Sequence, residues 1–204
     1  ECLFQTQQFK PALDVYQRVR KLESIDEDRL VLTLLRGGQC AGQLEEWGTS
    51  LAWLEQVSDR FPDSARAAEA LFEQGVARFA LGRAHSDDEK ENPQELEQAF
   101  RLFRQVSRKA RTELGARALF HAGEVQFQKK KFTDAIQQYQ RVMYGYGGER
   151  APAAIKKWQA SAGFQAGQAS LVLAGQADQG EERNRLVAEG KKYFKYVVEK
   201  HPQS

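Results

Sequence analysis

Apolar residues along this chain recur three and four apart. Phe9, Leu13, Tyr16 and Val19 make one such series, and Phe132, Ile136, Tyr139 and Val142 make another. That spacing places side chains on one face of an α-helix. Each series follows a second helical stretch of the same kind, ended by a short polar turn such as Gln128-Lys129-Lys130-Lys131. Strand signals are nearly absent, because β-branched residues are sparse and Gln, Ala, Glu, Leu, Arg and Lys fill the sequence. The pattern predicts an all-α chain of antiparallel helix pairs stacked into an α-α superhelix, or solenoid.

The pairs repeat. Tyr16-Gln17-Arg18-Val19 returns unchanged as Tyr139-Gln140-Arg141-Val142, with Phe9 and Phe132 seven residues ahead and Ala12 and Ala135 four ahead. The stretch 118–127 matches 70–79 at Ala, Leu, Phe, Gly and the final Phe. A period of a few tens of residues predicts an array of small stacked units. The expected units are a half repeat at 1–24 and repeats at about 28–62, 63–112, 114–148 and 151–202. The third carries an insertion at 83–95 and the fifth one at 175–185. Packing roles follow from residue size. Gly38, Gly75 and Gly123 on first helices, with Ala12, Ser50, Ala99 and Ala135 on second helices, allow close approach. Phe9, Trp47, Leu96 and Phe132 fill the space near the turn, while Tyr16, Leu54, Phe103 and Tyr139 seal the next interface.

With these positions in place the unit resembles the tetratricopeptide repeat (TPR), whose pattern runs from a large residue through Leu-Gly, an aromatic, a small Ala and an aromatic to a closing Pro. The chain departs from it where Ala41, Arg78 and Gln126 stand in place of an expected aromatic. Val57-Ser58-Asp59-Arg60-Phe61-Pro62-Asp63-Ser64, leading on to Phe72-Glu73-Gln74-Gly75, is similar to repeats of bacterial cell-envelope TPR proteins of the Tol-Pal coordinator and outer-membrane-assembly lipoprotein types. That likeness implies a periplasmic or cell-envelope location rather than a cytoplasmic one. The chain opens mid-pattern, which predicts a fragment of a longer protein.

Composition narrows function more than fold. No apolar run approaches the ~20 residues of a membrane span. Net charge is +2, but residues 1–100 hold 11 Lys/Arg against 19 Asp/Glu, and residues 101–204 hold 19 against 9. The basic half, with Arg101, Arg104, Arg108, Lys109 and Arg111, the Lys129-Lys130-Lys131 tip, and Lys191, Lys192 and Lys195, suits an acidic protein, anionic lipid headgroups or nucleic acid, or else serves solubility or contact with the acidic half of a neighbouring copy. No nucleic-acid motif accompanies it. Cys2 and Cys40 read as small apolar residues, paired only if the fold brings them together.

Catalytic signals are lacking. His85, His121 and His201 stand at no metal-ligand spacing, and Tyr144-Gly145-Tyr146-Gly147-Gly148 lacks the strand and the Lys-Ser/Thr end of a phosphate loop. It reads as a turn between units. No enzyme activity, metal or cofactor is expected. The expected role is a protein-interaction scaffold that takes a peptide or partner protein in the concave groove, where first helices meet. The alternative is self-assembly, a homo-oligomer built on the charge asymmetry. Counting from packing positions Leu34, Leu71, Leu119 and Trp158, the groove candidates are Gln39, Gln43, Glu69, Phe72, Val76, Arg117, Phe120, Glu124, Gln128, Lys156 and Gln159. Phe72 and Phe120 are the candidate anchors, or else they pack against neighbouring units. Some TPR proteins grip a terminal carboxylate with Lys and Asn; Leu35, Gln39, Phe72 and Val76 at the corresponding places argue against that mode here.

Overall fold

The computed structural model describes residues 1–83 and 91–201, and those residues form ten α-helices and one short 3-10 turn, with no strand among them. In chain order the helices are α1 (Cys2–Gln5), α2 (Phe9–Val19), α3 (Glu27–Gln43), α4 (Trp47–Arg60), α5 (Ala67–Gly82), α6 (Pro93–Lys109), α7 (Glu113–Gln128), α8 (Phe132–Gly145), α9 (Ala153–Gln176) and α10 (Glu181–Lys200). The chain divides into two compact units, Glu1–Leu102 and Phe103–Ser204.

In unit 1 each helix from α1 to α5 packs on the next, and the first helices α3 and α5 also touch. Their core holds Leu13, Tyr16, Leu34, Leu35, Trp53, Leu54 and Val57. Unit 2 repeats the scheme: α7 packs on α8, α8 on α9 and α9 on α10, while the first helices α7 and α9 touch. Its core holds Phe120, Ile136, Tyr139, Val142, Met143, Tyr146, Ile155 and Tyr193.

The hairpin turns share one construction. Gln7, Glu45 and Lys130 adopt left-handed backbone, with φ of 59°, 59° and 57°. After each, the next amide bonds five residues back: Gln8 to Leu3, Glu46 to Ala41 and Lys131 to Gln126. That is the Schellman way of satisfying the last carbonyls of a helix. A helix then restarts on a bulky residue, Phe9, Trp47 or Phe132. Phe9 meets Phe4 edge-on across its turn, with ring centroids 6.0 Å apart, and Phe132 meets Phe127 at 5.1 Å.

Two segments differ from the sequence expectation. Much of 175–185 is helical, leaving only 177–180 between α9 and α10. The Ala- and Leu-rich run before it keeps α9 going for 24 residues. In the third repeat Asn92 and Pro93, expected within the insertion, already start α6. Asn92 Oδ1 accepts from the amides of Gln94 and Glu95 at 3.1 and 3.4 Å, with proline in the first turn. Residues 84–90 of that insertion, His85 included, and the closing Pro202 lie outside the described residues. Cys2 is exposed and Cys40 buried, and both are free thiols.

Small residues set the helix spacing. A Cβ on Gly38 would stand 2.6 Å from Leu54 Cγ, and one on Gly123 would stand 2.4 Å from Tyr139 Cε1. Tyr139 has no exposed surface and cannot move aside. Gly123→Ala therefore destabilises by about 1–3 kcal/mol through overpacking. Gly175→Ala, where an added Cβ meets nothing within 4 Å, raises stability by up to about 1 kcal/mol through helix propensity. Urea melts of the two variants check the contrast, and equal midpoints would show that the contact does not set the spacing.

Candidate functional site

First helices carry the candidate site, and each is buried on more than one side. On α5 the buried positions include Ala70, Leu71, Phe72, Gln74, Gly75 and Ala77; on α7 they include Ala118, Leu119, Phe120, Ala122, Gly123 and Val125. A helix enclosed in this way has no single apolar stripe. Counting one place beyond a core residue can then land on another core residue.

Phe72 shows the consequence. It is 0% exposed and belongs to the core, which corrects its expected place in a groove. Gln159 is also 0% exposed, and its amide donates to the Met143 carbonyl at 3.2 Å. It braces α9 against α8 and cannot meet a partner. Phe120, at 8%, has both roles. It packs against Tyr139 and Trp158, with centroids 5.7 and 5.4 Å away, and its remaining surface lines an open groove.

In unit 1 two of the polar candidates, Gln39 and Glu69, are bound to each other. Arg36 Nη1 donates to Gln39 Oε1 at 2.7 Å, and Gln39 Nε2 donates to Glu69 and Glu73 at 3.0 and 3.1 Å. Arg36 also lies 3.5 Å from Glu69. These donors and acceptors link α3 to α5 and are spent on each other. Gln39, Gln43 and Val76 do line one cleft with Gly42 and Trp47, but its volume is about 50 Å³, room for little more than a water or two.

Unit 2 holds the larger opening, a groove of about 900 Å³ formed by α7, α9 and α10. Its floor is Phe120, Ala160, Phe164 and Val197, with Phe164 47% exposed. Lys156, Lys157, Lys200 and His201 stand around it. The Lys200 ammonium bonds the Glu149 carboxylate, which holds that carboxyl below its ordinary range. Burial, then the neighbouring Lys156 charge, depresses the His201 imidazole. Of the expected residues only Phe120 and Lys156 come to this groove. Arg117, Glu124 and Gln128 are half-buried on α7 away from it, and Glu124 accepts the Tyr139 hydroxyl.

Phe164, Ser161 and Lys157 were missed, although a signal for them exists. Ala153, Lys156, Lys157, Ala160, Ser161 and Phe164 follow three- and four-residue spacing along α9, visible once that helix is known to be long.

Two perturbed titrating groups of unit 2, Tyr139 and His121, belong to packing. Tyr139 is shifted upward by burial and by Glu124. His121 stacks on Phe103 at 5.4 Å and is pushed down to about 4, first by burial and then by Arg117. Among the described residues no group of three His, Cys, Asp or Glu could hold a metal ion. No helix among them is long and apolar enough to cross a membrane.

Comparison with known proteins agrees with this architecture. Residues 117–147 match the family model described as Tetratricopeptide repeat. The α7–α8 pair is of the tetratricopeptide-repeat type. The whole chain is similar to a crystal structure of MamA, with TM-score 0.67 and 20% identity over 98% of this chain and 93% of that one. A second crystal structure of MamA protein gives 0.66 and 20%, over 98% and 87%. These likenesses show the fold, a TPR-like solenoid of helix pairs. No curated protein matches the chain.

The His121 shift has a definite pH sign. Its folded pKa lies below the ordinary 6.5, so its contribution is complete above pH 6.5 and is lost as pH falls through about 4. The loss amounts to about 3 kcal/mol. His121→Phe, which can keep the stack on Phe103, removes that part of the slope. Urea midpoints of the two proteins between pH 7 and 4 check it, and parallel curves would refute the assignment.

Proposed function

We propose that this chain is a non-catalytic protein-interaction scaffold whose groove between α7, α9 and α10 takes a segment of a partner protein. The observation that carries this reading is an apolar floor surrounded by ammonium groups. Phe164 offers a large exposed ring, the kind of anchor that dominates binding energy when a partner excludes water from it. Lys156 and Lys157 add long-range attraction and selectivity for carboxylates more than raw affinity. The complementary ligand is an acidic segment with one large apolar side chain.

Selection from a random peptide library tests the groove. Enriched peptides should combine Asp or Glu with an aromatic or aliphatic anchor. Their affinity should fall about tenfold in Lys156→Glu/Lys157→Glu and by a similar factor in Phe164→Ala, equivalent to about 1.4 kcal/mol each. Affinity indifferent to both changes would remove the groove from the proposal.

The charge division favours a second reading, self-assembly, in which the acidic half of one copy meets the basic half of another. Sedimentation should then show association at low salt that dissolves as added salt shortens the screening length. A monomer throughout would end that reading.

A further inference from the structure

The cationic side chains of residues 103–204 are ten lysines and eight arginines. Four of the arginines form one group. Arg104, Arg108 and Arg111, on and just after the last turns of α6, converge with Arg141 of α8 on one cavity of about 650 Å³. Tyr144, Gln137 and Gln140 complete its wall. The groove described above lies elsewhere, on α9 and α10, and shares none of these residues.

Four like charges around one concavity repel each other unless something negative sits among them. Among the described residues no carboxylate comes within 4.0 Å of any of the four guanidinium groups. Arg104 is half-buried and donates to a neutral acceptor, Gln138 Oε1, at 2.6 Å. Its charge is disfavoured by burial first, then by Arg141 and Arg108. Arg111 lies 6.0 Å over the ring of Tyr146, whose buried hydroxyl donates to the Ser107 carbonyl at 3.4 Å. Tyr146 thus props the chain ends that carry the arginines. Its hydroxyl pKa is raised by burial, with Arg111, Arg104 and Arg141 all pulling the other way.

The residue type narrows the ligand. A guanidinium is a planar fork with five donors, matched to two oxygens at a time, and it is less strongly hydrated than an ammonium. Four forks need more acceptor oxygens than one carboxylate provides. A tetrahedral phosphate group with a double negative charge supplies them in a compact volume. We propose that the Arg104, Arg108, Arg111 and Arg141 cavity is a binding site for a phosphate-bearing ligand. The ligand's phosphate offsets about half of the charge of the four guanidinium groups, and the open side leaves room for whatever the phosphate is attached to.

Inorganic pyrophosphate is the probe, titrated calorimetrically into the whole chain. Saturable binding with one site per chain is expected, weakened at least about tenfold in Arg108→Gln/Arg141→Gln. Both arginines are exposed, and a thermal melt verifies that the variant is folded. Lys130→Gln/Lys131→Gln removes the same charge from a distant tip and should leave affinity within about twofold. Citrate, of similar charge but carrying only carboxylates, should bind at least about tenfold more weakly. No saturable pyrophosphate binding, equal loss in both double variants, or citrate binding as well as pyrophosphate would overturn the proposal.

Co-sedimentation with vesicles containing phosphatidic acid, whose headgroup is a phosphate monoester, separates two sources of the phosphate. Vesicle binding that disappears in Arg108→Gln/Arg141→Gln, together with pyrophosphate binding, assigns a lipid headgroup. Pyrophosphate binding without vesicle binding assigns a soluble phosphorylated molecule. Vesicle binding without pyrophosphate binding would reduce the cavity to general surface charge and overturn the site.

Discussion

The spacing between the two helices of a hairpin is the constraint on which both units depend. It is set by a glycine on the first helix and a large side chain on the second. Gly38 faces Leu54 and Gly123 faces Tyr139, each sixteen residues later, at distances an added Cβ could not tolerate. In the α9–α10 pair the same device is doubled, with Gly163 against Val197 and Gly167 against Phe194. Close approach permits dense packing, and dense packing leaves first helices enclosed by neighbours. The grooves and cavities are what remains where that enclosure is incomplete.

A second device fixes the direction of return. At Gln7, Glu45 and Lys130 the backbone turns left-handed without glycine, a conformation costing about 1–2 kcal/mol for an ordinary side chain. It is held by the paired turn hydrogen bonds and by a bulky residue five places after its contact. Phe4 meets Phe9, Phe127 meets Phe132, and Gly42 lies beneath Trp47, where a Cβ would sit 3.7 Å from Cζ3. Where the bulky residue is tryptophan, the position five earlier is glycine; where it is phenylalanine, another ring fits. The tyrosines of the repeated Tyr-Gln-Arg-Val add a third recurring element. Tyr16 and Tyr139 each donate to a glutamate fifteen residues earlier, Glu1 and Glu124, so their hydroxyls are satisfied where their rings seal the core.

These regularities explain what the sequence made legible. Second helices such as α2 and α8 bury one face, so Phe132, Ile136, Tyr139 and Val142 declare themselves by spacing alone. Glycines and alanines at matched positions declare the close approaches. First helices bury residues around most of their circumference, and there spacing loses its meaning. Leu71 and Phe72 are adjacent and both buried, as are Gln159 and Ala160. Spacing therefore cannot place Phe72 or Gln159, and both lie in the core rather than on a groove surface. Phe164 went unnoticed because its helix runs well past the length of a standard unit. The four-arginine cavity needed structure for another reason: Arg141 lies thirty or more residues from the other three, and only the fold of α6 and α8 brings them together.

Charge then distinguishes units whose packing is alike. In unit 1 polar residues between first helices form the Arg36, Gln39, Glu69 and Glu73 network, which ties α3 to α5. In unit 2 the corresponding region of α9 carries Lys156 and Lys157 beside an exposed phenylalanine, and the opposite helices carry arginines around tyrosines. The positive excess of the second half is thus two chemistries. Lysines, as flexible hydrated point charges beside an apolar floor, impose no fixed acceptor geometry. Arginines, as rigid forks held over Tyr146 and by Gln138, select acceptor geometry. A uniform solubilising surface would need neither the convergence nor the residue choice, and the two sites draw on side chains that the packing of the helix pairs leaves free to differ.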